Sequence, residues 1–411
     1  MSGKAEDNLI RLLWLTGFFV FSFMFCAGIM QFANKSYRWG LIASDALVER
    51  GNWIILLWEM TFLFASIIKV KFVIKRVGIV EQIDSDKRDS RLNTKTVSFL
   101  AILLMLLGIF TVARGGYLIL FNRTIYGKST IISLLSNSSL RMIGNALITG
   151  FALWVAISTL TYYKEHKSLW SVFLVIVALV ALIFNVPPTG VPRYEATAVY
   201  GGILISRWKR LKKDNLFFYL LAIGLLIVFP LLNSFRGTIY GHVTFEAVEN
   251  SLGDIGSNFL RADYDAYSML LYTLKYVEQM GMTHGMQLVG ALLFFIPSSI
   301  WAGKPGGSGA LIIDQPAADY NSNVSCPLPA EGYINFGVIG TLLFALVFSY
   351  ILRYQDRKYW EKDEKLQNDS MLYACALPFV LFMMRGDLMS TLAFFVGFSI
   401  SLMIYRRVVY R

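Results

Sequence analysis

The sequence predicts an all-α polytopic membrane protein with about ten transmembrane helices, and three observations support this. Of its 411 residues, 56% are hydrophobic and only 16% are charged, whereas soluble domains carry roughly 25% charged residues. Several apolar runs reach about 20 residues, the length that a helix needs to cross roughly 30 Å of hydrocarbon. Finally, Lys and Arg concentrate in short loops between pairs of these runs, as in helical membrane proteins.

The predicted spans follow one another along the chain with short connections. They lie at about 10–32, 52–74, 96–113, 143–163, 168–186, 194–207, 216–234, 333–352, 370–384 and 388–405. Lys and Arg are dense in the loops at 75–95, 164–167, 207–214 and 353–365. Because cytoplasmic loops carry an excess of these residues, we expect all four loops on the cytoplasmic side. Both chain termini then also lie in the cytoplasm, and residues 1–411 form a single integral membrane domain.

One long loop, residues 235–332, is predicted to be external. It contains "MQLVGALLFFIPSSIW" (286–301), an apolar segment that is shorter than a normal span and breaks at Pro297. If this segment crossed the membrane, the basic loop at 353–365 would lie outside, so we expect a re-entrant or in-plane element. Such irregular backbone is tolerated at membrane depth only where protein buries it or where it lines a cavity. The loop should also contain short external helices, since "DYDAYSMLLYTLKYVEQM" has apolar residues at helical spacing.

Composition also excludes some classes of function. The net charge of +11 comes from residues beside the spans, so nucleic acid is not an expected partner. The three histidines are scattered and the three cysteines have no paired spacing, so neither a metal site nor a cofactor is expected. The cytoplasmic loops are too short for an ATPase domain, and the chain has no phosphate-binding glycine loop motif.

Charged residues at the outer ends of the spans are the candidate functional residues. External loops of such a protein should be poor in cations, yet Arg and Lys recur there, near several carboxylates. Guanidinium groups bind phosphate oxygens through two parallel hydrogen bonds, lysine acts as a point charge, and a carboxylate can accept the proton of an attacking hydroxyl. The candidates for phosphate binding are Arg193, Arg236, Arg261, Lys304 and Arg385, and those for the base are Asp263, Asp265 and Glu331.

Each of these residues also has a structural interpretation. Arg193 could be an interfacial arginine, Arg261 and Asp265 could form a surface pair on one helix face, and Arg385 could pair with Asp387 in the tight turn "RGD". Lys304 could simply end a hydrophobic plug. Ser308, within "GGSGA", has no histidine beside it in the sequence, so a plain flexible turn is expected there.

The stretch from 185 to 340 resembles the O-antigen (Wzy-type) oligosaccharide repeat-unit polymerases of bacterial envelopes. The resemblance lies in "NVPPTGVPRYE", "RADYDAYSML", "GALLFFIPSSIWAGKP" and "AEGYINFGVIG". It implies a GT-C-like membrane glycosyltransferase in the bacterial inner membrane, with essential arginines in its large external loop. Tyr194, Tyr264 and Trp301 are then expected to contact sugar or lipid.

The function implied by the resemblance is polymerisation of undecaprenyl-diphosphate-linked oligosaccharide at the outer leaflet, with one such lipid as donor and another as acceptor. A chain-length regulator protein is a possible partner beside the membrane lipids. Alternatives are a flippase for the same lipid-linked unit and an O-antigen ligase, for which His284 with Arg261 would be candidates. An acyltransferase would need a histidine base on an early span, which the sequence lacks.

Overall fold

A computed structural model of the protein describes residues 16–67, 92–135, 138–207, 216–224, 259–260, 264–313, 324–360 and 379–409. Within these ranges the regular elements are all helices. In the part of the chain that the structure describes, five helices are long and apolar enough to cross a membrane: Thr16–Ala33, Thr94–Leu120, Leu140–Glu165, Leu328–Gln355 and Leu388–Val409. The prediction of a helical membrane protein is therefore confirmed, while the total of ten spans stays a prediction.

The helices are numbered here in chain order. The first seven are α1 (Thr16–Ala33), α2 (Asp45–Ile67), α3 (Thr94–Gly115), α4 (Arg123–Ser129), α5 (Ser138–Glu165), α6 (Leu169–Asn185) and α7 (Arg193–Arg207). They are followed by α8 (Leu216–Ile223), α9 (Ala266–Met280), α10 (Met286–Leu292), α11 (Ser308–Ile312), α12 (Leu328–Trp360) and α13 (Leu388–Val409). Val20–Cys26 within α1 is π-helical, and short 3-10 turns cover Arg38–Gly40, Gly116–Leu120 and Ile131–Leu134.

Local sequence signals account for where several helices begin. Asn93 caps α3 by accepting from the backbone N–H of Thr96 at 3.3 Å. Ser168 and Ser171 form a reciprocal capping box at the start of α6. These side chains bind backbone N–H groups that have no partner within the first turn of a helix.

Buried apolar side chains form two clusters. The first joins α1, α2, α9 and α12, and the second joins α3, α5, α6, α7 and α13. The segment at 379–388 belongs to both, since Val380 and Met384 pack in the first cluster while Phe379 and Phe382 pack in the second. Small residues allow close helix contacts: a Cβ on Gly397 of α13 would lie 2.6 Å from the Cβ of Ala146 on α5.

Helix α12 is broken near its start. Phe336 has φ −144° and Gly337 has φ 64°, a left-handed conformation that favours glycine. The part before the break folds back on the part after it, because the Thr341 hydroxyl donates to the Pro329 carbonyl at 3.2 Å. This break separates Glu331 from the long apolar part of α12.

The segment 286–301 contains only a short helix. Helix α10 has seven residues, about 10 Å at 1.5 Å per residue, so it is too short to cross a bilayer. It is followed by turns in which Ile296 N–H donates to the Leu293 carbonyl at 3.0 Å and Trp301 N–H to the Pro297 carbonyl at 3.1 Å. In the structure the segment is thus a short helix followed by turns; that it is re-entrant or in-plane, and the side of the membrane on which it lies, stays a prediction.

Candidate functional site

A buried ion pair joins the start of α9 to the turn before α13. Arg385 Nη2 lies 2.9 Å from Asp265 Oδ1, and the Asp265 side chain is fully buried while that of Arg385 is 14% exposed. The Ser325 hydroxyl donates to the same carboxylate oxygen at 2.7 Å. The other oxygen accepts from Trp39 Nε1 and from the Ser325 N–H, both at 3.4 Å. This pairing replaces the Arg385–Asp387 salt bridge considered above.

A second buried carboxylate, Glu331, lies at the start of α12. It is 1% exposed, and its two oxygens accept from the Leu388 N–H at 2.9 Å and from the Ser308 hydroxyl at 2.8 Å. The Cys326 thiol lies beside it. Leu388, whose N–H binds Glu331, lies three residues after Arg385, so Glu331 contacts the same turn that carries the arginine of the Asp265–Arg385 pair.

A third carboxylate, Asp387, caps two helices at once. One oxygen accepts from the N–H groups of Met389 and Ser390 at the start of α13, at 3.0 and 3.3 Å. The other accepts from the Gly309 N–H in α11 at 3.1 Å. Burial raises the pKa of the Asp387 carboxyl, while these backbone N–H groups act to lower it. Asp387 therefore holds α11 against the first turn of α13.

Ser308 is part of this network. The sequence favoured a flexible turn at this position, but the side chain is buried and bonded to Glu331. Among the described residues, no group of three or more His, Cys, Asp or Glu side chains could hold a metal ion. Hydrogen-bond donors approach all three carboxylates and fix the orientation of these groups.

Lys304 and Trp301 lie in the turns after α10. The Lys304 ammonium donates to the carbonyls of Phe294 and Ile296, at 2.5 and 2.9 Å, and burial lowers the pKa of this lysine. Trp301 is partly exposed, and its carbonyl accepts from the Lys304 N–H at 3.0 Å. The lysine thus binds two carbonyls of the turns that follow α10.

Tyr264 packs inside the first cluster. Its ring is 3% exposed, stacks on Phe23 at 4.9 Å between centroids and lies 4.8 Å from the ring of Phe259. The Tyr264 carbonyl accepts from the Gln31 amide at 2.9 Å. Its ring supports the start of α9, and its contact with sugar or lipid stays a prediction.

Arg193 begins α7 and belongs to a separate polar group on the second cluster. Its side chain is buried, as is that of Glu195, whose carboxylate accepts from the Thr149 hydroxyl at 2.7 Å. Two tyrosine hydroxyls, those of Tyr126 and Tyr200, bind the carbonyls of Asn185 and Val186 where the chain leaves α6. Beside them lies a narrow cleft, lined in part by Thr111, Asn145, Thr149 and Asn185.

The remaining predicted site residues are not described by the structure. Asp263, Arg236 and Arg261 lie outside the described residues, as does the side chain of Tyr194. The structure therefore brings together Asp265, Glu331 and Arg385, and it places Arg193 in a different part of the helix bundle.

Several residues that contact Asp265 or Ser308 were not predicted from the sequence. Trp39, Ser325 and Gln287 carry no motif, and they approach the carboxylates only through tertiary packing. The Gln287 side-chain oxygen lies 3.4 Å from the Ser308 hydroxyl. The pattern "RGD" did give a signal for Asp387, but for a pair with Arg385 and not for the two helix caps.

No known protein family, curated protein or solved structure matches this chain.

Proposed function

We propose that this protein is a membrane glycosyltransferase of GT-C-like architecture that polymerises undecaprenyl-diphosphate-linked oligosaccharide units at the outer leaflet of a bacterial inner membrane. The observation that supports this most directly is the buried Asp265–Arg385 pair, with Glu331 bound to Leu388 in the turn that carries Arg385. It combines a guanidinium suited to phosphate with a nearby carboxylate in a membrane protein.

In the proposed reaction, a sugar hydroxyl of the acceptor unit attacks the anomeric carbon of the donor glycan. The bond from that carbon to the diphosphate oxygen breaks, and undecaprenyl diphosphate leaves with the bonding electron pair. The hydroxyl proton passes to a carboxylate, for which Asp263, Asp265 and Glu331 are the candidates. Because the activated bond is already present in the donor, the reaction needs no nucleotide sugar and no metal.

Arginines would stabilise the charge that develops on the leaving diphosphate. Preorganised cations of this kind often contribute a large part of catalysis. Arg385 is the described arginine best placed for this role, and Arg236 and Arg261 would bind the remaining phosphate oxygens of donor and acceptor. Arg193, whose helix α7 packs in the second cluster, could take part only at a separate position. Lys304 could add its charge only by giving up its bonds to two carbonyls, each worth about 1.5–3 kcal/mol for a charged donor.

A lipid-linked oligosaccharide flippase is the second candidate, and a specific observation favours it. Helix α12 is interrupted at Phe336 and Gly337, and α1 contains a π-helical segment. Transporters commonly form their binding sites from interrupted helices. A ligase, the third candidate, would transfer the glycan to a different acceptor lipid.

The test is a glycan ladder assay with purified protein in lipid vesicles and lipid-linked repeat units as the only substrate. Wild-type protein should produce a ladder, and Arg385→Ala should abolish it. Arg385→Lys should restore little, since lysine lacks the planar fork. The matched control is Arg50→Ala, which removes an exposed pair, Arg50–Glu278 at 2.8 Å, worth about 0–1 kcal/mol.

The alternatives give different results in the same system. Translocation of lipid-linked units across the vesicle membrane without a ladder would favour the flippase. Transfer only after a lipid A–core acceptor is added would favour the ligase. A full ladder from Arg385→Ala protein would remove Arg385 from the site.

A further inference from the structure

The Asp265 carboxylate is saturated with hydrogen-bond donors. Arg385 Nη2 and the Ser325 hydroxyl bind Oδ1 at 2.9 and 2.7 Å, and Trp39 Nε1 and the Ser325 N–H approach Oδ2 at 3.4 Å. An ionised carboxylate offers about four acceptor sites. These four donors therefore leave Asp265 little capacity to accept a proton from a substrate hydroxyl.

The donors are themselves held firmly. Trp39 lies in the Arg38–Gly40 turn with φ 58°, a conformation that a bulky residue keeps only where its surroundings impose it. Its carbonyl accepts from the Tyr272 hydroxyl at 2.7 Å, which ties this turn to α9. Ser325 precedes α12 and is 3% exposed.

Glu331 is in a different situation. Its oxygens accept from one backbone N–H and one hydroxyl, with a thiol beside them. Neither oxygen is engaged by an arginine in these contacts, so Glu331 keeps more of its capacity to accept a proton.

We infer that Asp265 is a positioning residue, which together with Ser325 and Trp39 holds the Arg385 guanidinium in the orientation that binds a diphosphate. This inference rests on the proposed function and refines it, because it takes the role of base away from Asp265 and leaves it to another carboxylate. Fixing a guanidinium matters because a small displacement of a binding group can cost a large factor in rate.

The first test removes the Ser325 hydroxyl from the full-length protein in lipid nanodiscs. Binding of undecaprenyl diphosphate is measured by titration, and thermal stability is recorded in parallel. Ser325→Ala should weaken binding by roughly tenfold or more, because the carboxylate that holds Arg385 loses one hydrogen bond to a charged group. Ser325→Thr, which keeps the hydroxyl, should stay within about twofold of wild type.

Ser349→Ala is the matched control. The Ser349 hydroxyl is fully buried and donates to the Phe62 carbonyl at 3.3 Å, so its loss should lower stability without changing diphosphate affinity. Equal affinity of Ser325→Ala and wild-type protein would overturn the positioning role while leaving the proposed function intact. Failure of wild-type protein to bind the diphosphate at all would overturn both.

The second test separates positioning from base catalysis. Asp265→Asn should raise KM for the lipid-linked unit strongly, while the acidic limb of the kcat–pH profile stays at its wild-type position. If Asp265 were the base, kcat would instead collapse, the acidic limb would disappear and diphosphate affinity would stay unchanged. If Asp265→Asn does not fold, the Ser325 variants still decide the question.

Discussion

At the scale of single residues, contacts distant in sequence determine the roles of the charged groups. Arg385 pairs with Asp265, 120 positions away, although Asp387 is only two residues from it. Asp387 is instead engaged by backbone N–H groups of α11 and α13. Backbone N–H groups at a helix start need an acceptor, and the Asp387 carboxylate is that acceptor. Arg385 pairs with Asp265 instead.

Lys304 has two interpretations: it binds carbonyls of the turns after α10, and it is a candidate for binding the diphosphate. We predict that Lys304→Ala lowers thermal stability, because the carbonyls of Phe294 and Ile296 lose their donor. If the lysine also reaches the diphosphate, KM for the donor lipid should rise much more in Lys304→Ala than in Lys304→Arg. Reduced stability with an unchanged KM would restrict Lys304 to its structural role.

Cys326 should be chemically inert in the folded protein. Burial raises the pKa of its thiol well above the usual range, and Glu331 and Asp387 raise it further. Because a higher thiol pKa means less thiolate at neutral pH, we predict no labelling by N-ethylmaleimide at pH 7.5. The measurement uses protein with Cys26→Ser and Cys375→Ser, and the same protein unfolded in detergent is the control. Full labelling of the folded protein would contradict the buried position.

At the scale of helices, close approach depends on small residues. A Cβ on Gly150 of α5 would overlap the Ser401 hydroxyl of α13. That hydroxyl already accepts from Trp154 Nε1 at 2.9 Å, so it cannot move without losing a buried hydrogen bond. The contact between α5 and α13 is therefore specified by the absence of a side chain.

Replacing Gly150 by alanine should separate these two helices. We expect Gly150→Ala to destabilise the protein by about 1–3 kcal/mol, the usual range for overpacking. Gly127→Ala is the control, since Gly127 lies in α4 with no atom within 4 Å of the added Cβ, and alanine favours helix by up to about 1 kcal/mol. Thermal unfolding in detergent should show a loss for the first variant only, and equal stability of the two would contradict the packing described.

At the scale of the whole molecule, the proposed site lies where the bundle's two halves meet. The segment at 379–388 packs in both hydrophobic clusters and carries Arg385 and Asp387. Because both clusters contact this segment, its residues are held from two sides. This suits Arg385, whose guanidinium must keep a fixed orientation in the proposed site. The polar group around Glu195 belongs to the second cluster and is separate from this position.

The arrangement in the membrane is predicted from charge alone and can be measured directly. A reporter fused after Asn321 should read external, and one fused after Glu364 should read cytoplasmic, because the loop at 353–365 is rich in Lys and Arg. Expression of each fusion, checked by immunoblot, is the control. A cytoplasmic signal at Asn321 would mean that 286–301 crosses the membrane, against the seven-residue length of α10.

The sequence by itself determined the fold class and the candidate residues. Long apolar runs with little charge require helices in lipid, and the positions of charge and proline singled out Asp265, Glu331, Arg385 and the break after α10. These are local properties, so they can be predicted from the order of residues. The five membrane-length helices agree with them.

Only the tertiary structure decided which of these residues meet. The Asp265–Arg385 pair, its support by Trp39 and Ser325, and the bond from Ser308 to Glu331 all join distant parts of the chain. Composition and spacing do not predict such contacts, because helix packing determines which residues meet. Burying a charge without a partner is also costly, so the buried charged groups pair with whichever partners the packing brings near. The same cost explains why Ser308, in a glycine-rich stretch, donates a hydrogen bond to the buried Glu331 carboxylate.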